Sequence, residues 1–258
     1  MNLPFFEKIR RSVEKRVALM PEIDVKQKNS LDFCQIFEFS KTPIIAEIKF
    51  SSPSLGNIYP GTLNHKELAR EYLVSGAQAI SVLTEPEYFQ GDINFVKDIR
   101  SENFKAPILL KDFVVSKKQI EAGLLYGANA VLLIASFLDK ALLKELYFYC
   151  VELGLTPVVE IHSLEDLEDV LYLKPSVIGV NNRNLKTLEL SLDISRNLIN
   201  HIPDDCIALC ESGISHYSQL KEMVKLGFDG FLVGTSLMSF KKPGLKLKEL
   251  IKELNHES

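Results

Sequence analysis

An α/β protein closed into one eight-stranded parallel barrel is the fold class that these 258 residues predict. Three observations carry the prediction. Short β-rich runs alternate with helix-period segments along the whole chain, which implies a parallel sheet. One plan recurs in Gly-Ala-Gln-Ala-Ile-Ser-Val-Leu-Thr (76–84), Gly-Ala-Asn-Ala-Val-Leu-Leu-Ile-Ala (127–135) and Gly-Phe-Asp-Gly-Phe-Leu-Val-Gly-Thr (227–235). In each, a glycine sits where a helix should stop in the left-handed conformation, and a strand follows. Charge also recurs at one place: Glu47, Lys49, Lys111, Glu160, Arg183 and Glu211 all fall at or just past the C-terminal end of a strand. A parallel barrel builds its catalytic mouth there.

The elements follow in order. Phe5, Phe6, Ile9, Val13 and Val17 make an apolar stripe, so a helix is expected over 4–19, ahead of the first strand. Strands are expected near 43–49, 78–84, 107–111, 129–135, 156–161, 176–181, 206–211 and 229–234. Helices are expected near 65–75, 92–102, 116–126, 139–153, 163–173, 193–200, 215–226 and 243–254, with a short extra one at 235–239 ended before Pro243. Eight units favour closure, although an open doubly wound sheet uses the same alternation. No Ser/Gly/Pro-rich linker breaks the pattern. Residues 1–258 therefore read as one domain, with 1–42 a helical extension and 43–258 the barrel. The chain ends about twenty residues past the last strand, so no fused second enzyme is expected.

Period-two alternation sets which side chains point inward. Ile45, Glu47 and Lys49 share one face of the first strand; Ile44, Ala46 and Ile48 share the other. Leu109 shares a face with Lys111, Val158 with Glu160, and Leu209 with Glu211. Each charge thus tops an inward column. Buried charge is costly unless paired, and Lys49 with Glu47 or Glu211, and Lys111 with Glu160, can compensate one another.

Composition bounds the function. Apolar content of 46% and charged content of 25% are those of an ordinary globular protein. A net charge of −4 argues against a nucleic-acid or polybasic membrane role. The first twenty residues carry Glu7, Lys8, Arg10, Arg11, Glu14, Lys15 and Arg16 and no signal-peptide core, so a cytoplasmic location is expected. The longest apolar stretch, from Ala130 to Leu138, is too short to span a bilayer. Cys34, Cys150, Cys206 and Cys210 form no C-x-x-C pair, and the five histidines show no ligand spacing. No metal is expected.

Two further constellations carry chemistry. Gly213 and the Gly234-Thr235-Ser236 turn follow the last two strands, where barrels often hold phosphate on backbone N–H groups and a short helix. The segment from Ser51 to Asn64 is long for a strand-to-helix loop, which suggests a lid.

The segment Ala-Glu-Ile-Lys-x-x-Ser-Pro-Ser-x-Gly (46–56) resembles the signature of the indole-3-glycerol-phosphate synthase family, from tryptophan biosynthesis. The resemblance continues through Glu-Tyr-Phe-Gln-Gly (87–91), Leu-Lys-Asp-Phe (110–113), Val-Glu-Ile-His (159–162), Asn-Asn-Arg-Asn-Leu (181–185), Glu-Ser-Gly-Ile (211–214) and Val-Gly-Thr-Ser-Leu-Met (233–238). It implies a (βα)8 TIM barrel with an N-terminal helical extension. The implied substrate is 1-(2-carboxyphenylamino)-1-deoxyribulose 5-phosphate, converted to indole-3-glycerol phosphate, carbon dioxide and water. By the same resemblance Lys111 is the general acid for ring closure and Glu160 the acid/base of the later dehydration. Lys49 meets a substrate carboxylate or phosphate, and Glu47, Asn181, Arg183, Glu211 and Ser212 order the polar site. Ser54, Gly213, Gly234 and Thr235 lie near the phosphate, Phe89 and Phe113 near the aromatic ring, and Leu185 is a further substrate-binding residue.

The chemistry independently asks for such a set. A ring carbon attacking a ketone needs the ketone oxygen protonated or polarised, which a lysine ammonium among carboxylates can do. Decarboxylation that restores aromaticity needs no cofactor as electron sink, so none is expected. Glu47 and Glu211 can equally serve as structural partners of Lys49, and Phe89 as ordinary packing. Phe50 and Leu55 stand where many relatives carry basic residues, and Thr235 where serine or glutamate is common. The expected partner is a small phosphorylated molecule, bound by a monomer, with no nucleic acid or membrane involved. Competing readings are a phosphosugar isomerase, a Schiff-base aldolase using Lys111 or Lys49, and a non-catalytic phospho-ligand barrel.

Overall fold

The computed structural model describes residues 5–25, 28–102, 104–184 and 187–255. Eight strands form the barrel: β1 (Ile44–Ile48), β2 (Ala79–Leu83), β3 (Ile108–Lys111), β4 (Ala130–Ile134), β5 (Thr156–Ile161), β6 (Val177–Asn181), β7 (Ile207–Glu211) and β8 (Gly230–Val233). Each pairs in parallel with its sequence neighbours, and β8 returns to β1, so the sheet is closed rather than open. All eight lie within a residue or two of their expected places.

Register fixes the inward set. Glu47 pairs with Ser81, Leu83 with Lys111, Ile134 with Glu160, Glu160 with Gly179, and Asn181 with Glu211. Side chains at paired positions of parallel neighbours point to one face. The expected columns on β1, β3, β5 and β7 therefore meet as one polar layer at the C-terminal end of the barrel. Beneath it, Ile45, Leu109, Val158 and Leu209 are fully buried. Outward-facing Ile44, Ala46, Ile48, Ile80 and Ile178 are also buried, under the helix ring. Burying such side chains stabilises by about 1.5–3 kcal/mol each, and two concentric apolar shells hold the frame.

Helices cover the outside at Ile93–Ser101, His65–Val74, Lys117–Tyr126, Lys140–Glu152, Leu164–Val170, Asp193–Leu198, Tyr217–Leu226 and Pro243–Asn255. Local chemistry sets their ends. Asn64 and Glu67 form a capping box at the start of His65–Val74. Gly127 and Gly227 end two of them at φ 97° and 108°, as the repeat predicts. Two expected helices finish as 3-10 turns, Leu171–Leu173 and Ile199–His201. Other short elements lack a periodic signal: a helix at Gln35–Phe39, a hairpin pairing 51–52 with 56–57, a helix at Pro86–Phe89 and a 3-10 turn at Ala135–Phe137. The hairpin opens the long loop that follows β1.

The N-terminal helix Phe5–Ala18 buries Ile9 and Val13 completely, as its stripe predicts. It lies on the rim of the mouth. Phe6 stacks on Phe137 with centroids 5.5 Å apart, Ser12 bonds Glu87, and Arg16 pairs with Asp112 at 2.7 Å. Residues 87, 112 and 137 all follow strand ends. Among the described residues, no helix is long and apolar enough to cross a membrane.

Candidate active site

Lys111, the last residue of β3, stands at the centre of the polar layer. Its Nζ donates to Glu160 Oε2 at 2.7 Å and to Glu211 Oε2 at 2.6 Å. These carboxylates come from β5 and β7, and all three side chains are nearly inaccessible to solvent. Burial pulls the lysine pKa down, but Glu160, Glu211 and Glu47 outweigh it, and the ammonium form is held well past neutrality.

The two carboxylates titrate differently. Burial pushes Glu160 up, yet Lys111 and then His162 overcome it and leave the carboxyl at about 2. Burial pushes Glu211 up as well; Lys111 opposes that, while Glu160 and Glu47 add to it, and the carboxyl sits at about 7. One ammonium neutralises one carboxylate well and two incompletely, so the pair divides its protons unequally.

Lys49, just past β1, pairs with Glu47 at 2.5 Å. Of the two partners open to it in sequence, Glu47 is the one it takes; Glu211 goes to Lys111 instead. Asn181 hydrogen-bonds Glu160 and accepts from the Arg183 N–H at 3.0 Å. Arg183 sits in an isolated bridge to Leu190 and donates from Nη1 to Leu188 O at 2.9 Å, which fixes the guanidinium along its own loop.

These groups line one cavity of about 290 Å³, floored by Leu83, Leu132, Ile134 and Leu232. Glu47, Lys49, Ser54, Phe89, Lys111, Phe113, Glu160, Asn181, Arg183, Glu211, Ser212, Gly213, Gly234 and Thr235 all reach it. Leu185 lies outside the described residues. Phe89 and Phe113 form an aromatic wall, 6.1 Å between centroids, which Phe137 extends at 5.1 Å. That wall follows β2 and β3. The Ser212–Gly213 turn follows β7, four strands from β3 and so across the ring. Ser212 and Gly213 both hold positive φ, 63° and 87°. A non-glycine residue in that region stores strain, which clusters at functional sites. Ser236 Oγ donates to Ile214 O at 2.7 Å and ties this turn to the short helix Thr235–Met238.

Two glycines face carboxylates. A Cβ at Gly234 would collide with Glu47 Oε1 and stand 2.9 Å from its Cδ. A Cβ at Gly179 would collide with Glu211 Oε1 and stand 3.1 Å from its Cδ.

Asp112 and Asn182 are not among the residues expected from sequence, although both lie inside quoted motifs. Asp112 lines the cavity and accepts from Arg16, from Thr84 Oγ1 at 2.7 Å and from Phe113 N–H at 2.8 Å. Asn182 is fully buried; its Nδ2 donates to Glu211 O and Ser212 O, both at 3.1 Å, and its Oδ1 accepts from Ser195 N–H. It braces the turn that carries Glu211. A polar residue directly beside each strand-end charge is the signal that could have found them. The loop after β1 brings Ser52, Pro53 and Ser54 to the cavity, and Gln90 holds it by donating to Asn57 Oδ1 at 3.1 Å. Phe50 packs edge-on to Tyr59 and Phe95. Among the described residues, no group of three His, Cys, Asp or Glu could hold a metal ion.

Fold and cavity together define a (βα)8-barrel enzyme equipped for acid–base chemistry at the C-terminal ends of its strands. The family model for indole-3-glycerol phosphate synthase matches residues 5–250. Two proteins named indole-3-glycerol phosphate synthase are similar to the chain. The one from Aquifex aeolicus is 39% identical over 256 residues, covering 96% of this chain and 98% of its own. The one from Sulfurimonas denitrificans is 44% identical over 207 residues, covering 80% and 78%. The 3-hexulose-6-phosphate synthase of Salmonella typhimurium shares the fold at 15% identity, with a TM-score of 0.67 over 84% of this chain and all of that one. The chain belongs to the indole-3-glycerol phosphate synthase family.

Proposed function

We propose that this chain makes indole-3-glycerol phosphate from 1-(2-carboxyphenylamino)-1-deoxyribulose 5-phosphate. The observation that carries the reading is the Lys111 ammonium clamped between Glu160 and Glu211 at the floor of a cavity with an aromatic wall.

The ring carbon bearing the carboxylate attacks the ketone, and a C–C bond forms. Lys111 gives its proton to the ketone oxygen as that oxygen becomes an alkoxide. The neighbouring carboxylates keep this donor loaded, and an alkoxide is basic enough to take its proton. The carboxylate leaves as carbon dioxide and returns its electron pair to the ring. The C–O bond to the new hydroxyl then breaks as a proton is delivered to its oxygen, the neighbouring CH2 carbon gives up a proton, the indole double bond forms, and water departs. Glu160 moves protons in this step, with Lys49 and Glu47 as the second acid–base pair. Phe89 and Phe113 hold the aromatic ring. Ser54, Gly213, Gly234 and Thr235, which follow β1, β7 and β8, hold the phosphate, and this stretches the flexible sugar chain across the mouth past Lys111. Arg183, Asn181, Ser212 and Leu185 orient the substrate. The loop after β1 closes over it.

The reading also takes the chain as a single-domain, cytoplasmic monomer. The mass in solution checks the last point.

The test is indole fluorescence from purified protein given the substrate. Appearance of the indole product with release of one carbon dioxide is expected. Absence of product, with borohydride trapping a lysine on a keto-phosphate, would replace this reading by an aldolase.

A further inference from the structure

Gly179 lies in the middle of β6, a place where glycine weakens a strand and calls for a reason. Its backbone is ordinary and does not require glycine, since its φ is not positive. Register places it level with Glu160 on one side and Leu209 on the other, both inward-facing. A Cβ here would meet Glu211: it would collide with Oε1 and lie 3.1 Å from Cδ and 3.6 Å from Cγ, the three nearest atoms. The other oxygen, Oε2, accepts from Lys111 Nζ at 2.6 Å. Oε1 is buried and has no hydrogen-bond partner among the described residues. Of the two oxygens, one is therefore held by the ammonium and the other by the gap over β6.

We propose that Gly179 is a positioning residue for the reaction: the space left by its missing side chain seats the Glu211 carboxylate and so holds it against Lys111. Alanine at 179 would push Glu211 off that seat. Lys111 would then rest on Glu160 alone, and the proton donor would lose one of the two contacts that aim it. Substrate contacts made across the ring, at the aromatic wall and at Gly213, would be untouched. The expected signature is a loss in kcat with little change in KM.

The inference rests on the synthase reading for its kinetic readout. Four proteins decide it: parent, Gly179→Ala, Glu211→Asp, and the double variant. Asp is one methylene shorter and withdraws the oxygen from the contested space. In the parent background Gly179→Ala should lower kcat by about tenfold or more and move KM by less than about threefold. With Asp at 211 the same alanine should cost less than about twofold, because the collision is gone. An equal factor in both backgrounds, or an unchanged kcat in Gly179→Ala, overturns the proposal. If Gly179→Ala does not fold, the double variant decides: it folds if Glu211 is the obstacle, and a double variant that is equally unfolded overturns the proposal. An inactive parent would sink the synthase reading instead. The melting temperatures of the four proteins then test the seat alone. Alanine should lower the melting point with Glu at 211 and not with Asp, and equal losses overturn it.

Discussion

At the end of the barrel where the strands begin, Asn129 accepts from Ile108 N–H at 2.9 Å and from Arg100 at 2.6 Å, and donates to Asn29 at 2.9 Å. Gln78 accepts from Ile44 N–H at 2.7 Å, and Asp229 from Ala208 N–H at 2.7 Å. Each of these residues stands one position before an even-numbered strand and caps a backbone N–H of the strand before it. At the end where the strands finish, Lys111, Glu160, Glu211, Glu47 and Lys49 bond mostly to one another, and Glu211 Oε1 has no partner among the described residues. One end satisfies its buried polar groups with backbone; the other faces charge with charge and leaves bonds unmade. Unmade bonds cost stability. The difference teaches where this fold spends stability on function.

The sharpest way to break that comparison is Lys111→Ala. Turnover should fall about 10²-fold or more, the usual scale for a lost general acid. Steady-state kinetics check it, and near-normal turnover removes Lys111 from the mechanism. Stability should also change its pH dependence. Without the ammonium, burial at Glu160 is opposed only by His162 and the Asn181 hydrogen bond, so that carboxyl rises, and Glu211, raised by burial, Glu160 and Glu47, moves further above its unfolded value. Stability from a raised carboxyl is complete below the unfolded pKa and is lost as pH rises through the folded one. The variant should therefore melt higher at pH 5 than at pH 8. A flat or opposite trend would mean that the carboxylates find another partner.

Much of this contrast was legible in the sequence, and the reason lies in period. Six charges at strand ends gave the mouth, and five of them, Glu47, Lys49, Lys111, Glu160 and Glu211, in phase with inward columns, gave its inner face. The repeat at 76–84, 127–135 and 227–235 gave three helix stops. Its third position, Gln78, Asn129 and Asp229, is polar in every copy, and that is the capping device at the other end of the barrel. What stayed hidden depends on contacts between strands far apart in sequence. Lys111 takes Glu211, 100 residues on, although local spacing leaves Glu211 equally open to Lys49. Arg16 reaches Asp112 across 96 residues. The helix at Pro86–Phe89 is too short for periodicity and exists because Glu85 accepts from three of its N–H groups.

A smaller effect separates the two carboxylates on Lys111. Glu211, pushed up to about 7 by burial against the pull of Lys111, takes up a proton as pH falls through neutrality. Glu160, held at about 2, stays ionised. In the synthase reading kcat should decline below about pH 7, by at most tenfold per pH unit. Glu211→Gln, neutral at every pH, should lack that limb. The sign for stability is the reverse of the usual carboxylate case. Because the folded pKa is raised, the ionising Glu211 weakens the fold as pH rises through about 7. Thermal melts of parent and Glu211→Gln at pH 5 and 8 check this: the variant's advantage should grow with pH. A limb that persists in Glu211→Gln assigns it to another group.

The least effect on turnover should come from the opposite end, where the comparison is most exposed. Asn129→Ala removes the acceptor for Ile108 N–H and for Arg100, and the donor to Asn29, at a residue 4% exposed. Leaving a buried backbone N–H without its partner costs about 1–3 kcal/mol, and about 2–4 °C of melting temperature accompanies each kcal/mol in a chain near this size. Asn129 precedes β4, whose far end carries Ile134 to the cavity floor. A rigid strand pinned on both sides by its ladders passes little of that loss to the mouth. Asn129→Ala should therefore melt several degrees lower while kcat, measured well below the transition, stays within about twofold of the parent. A drop in kcat as large as that from Glu211→Gln would show that the two ends are coupled, and that the division between a stability end and a function end is wrong.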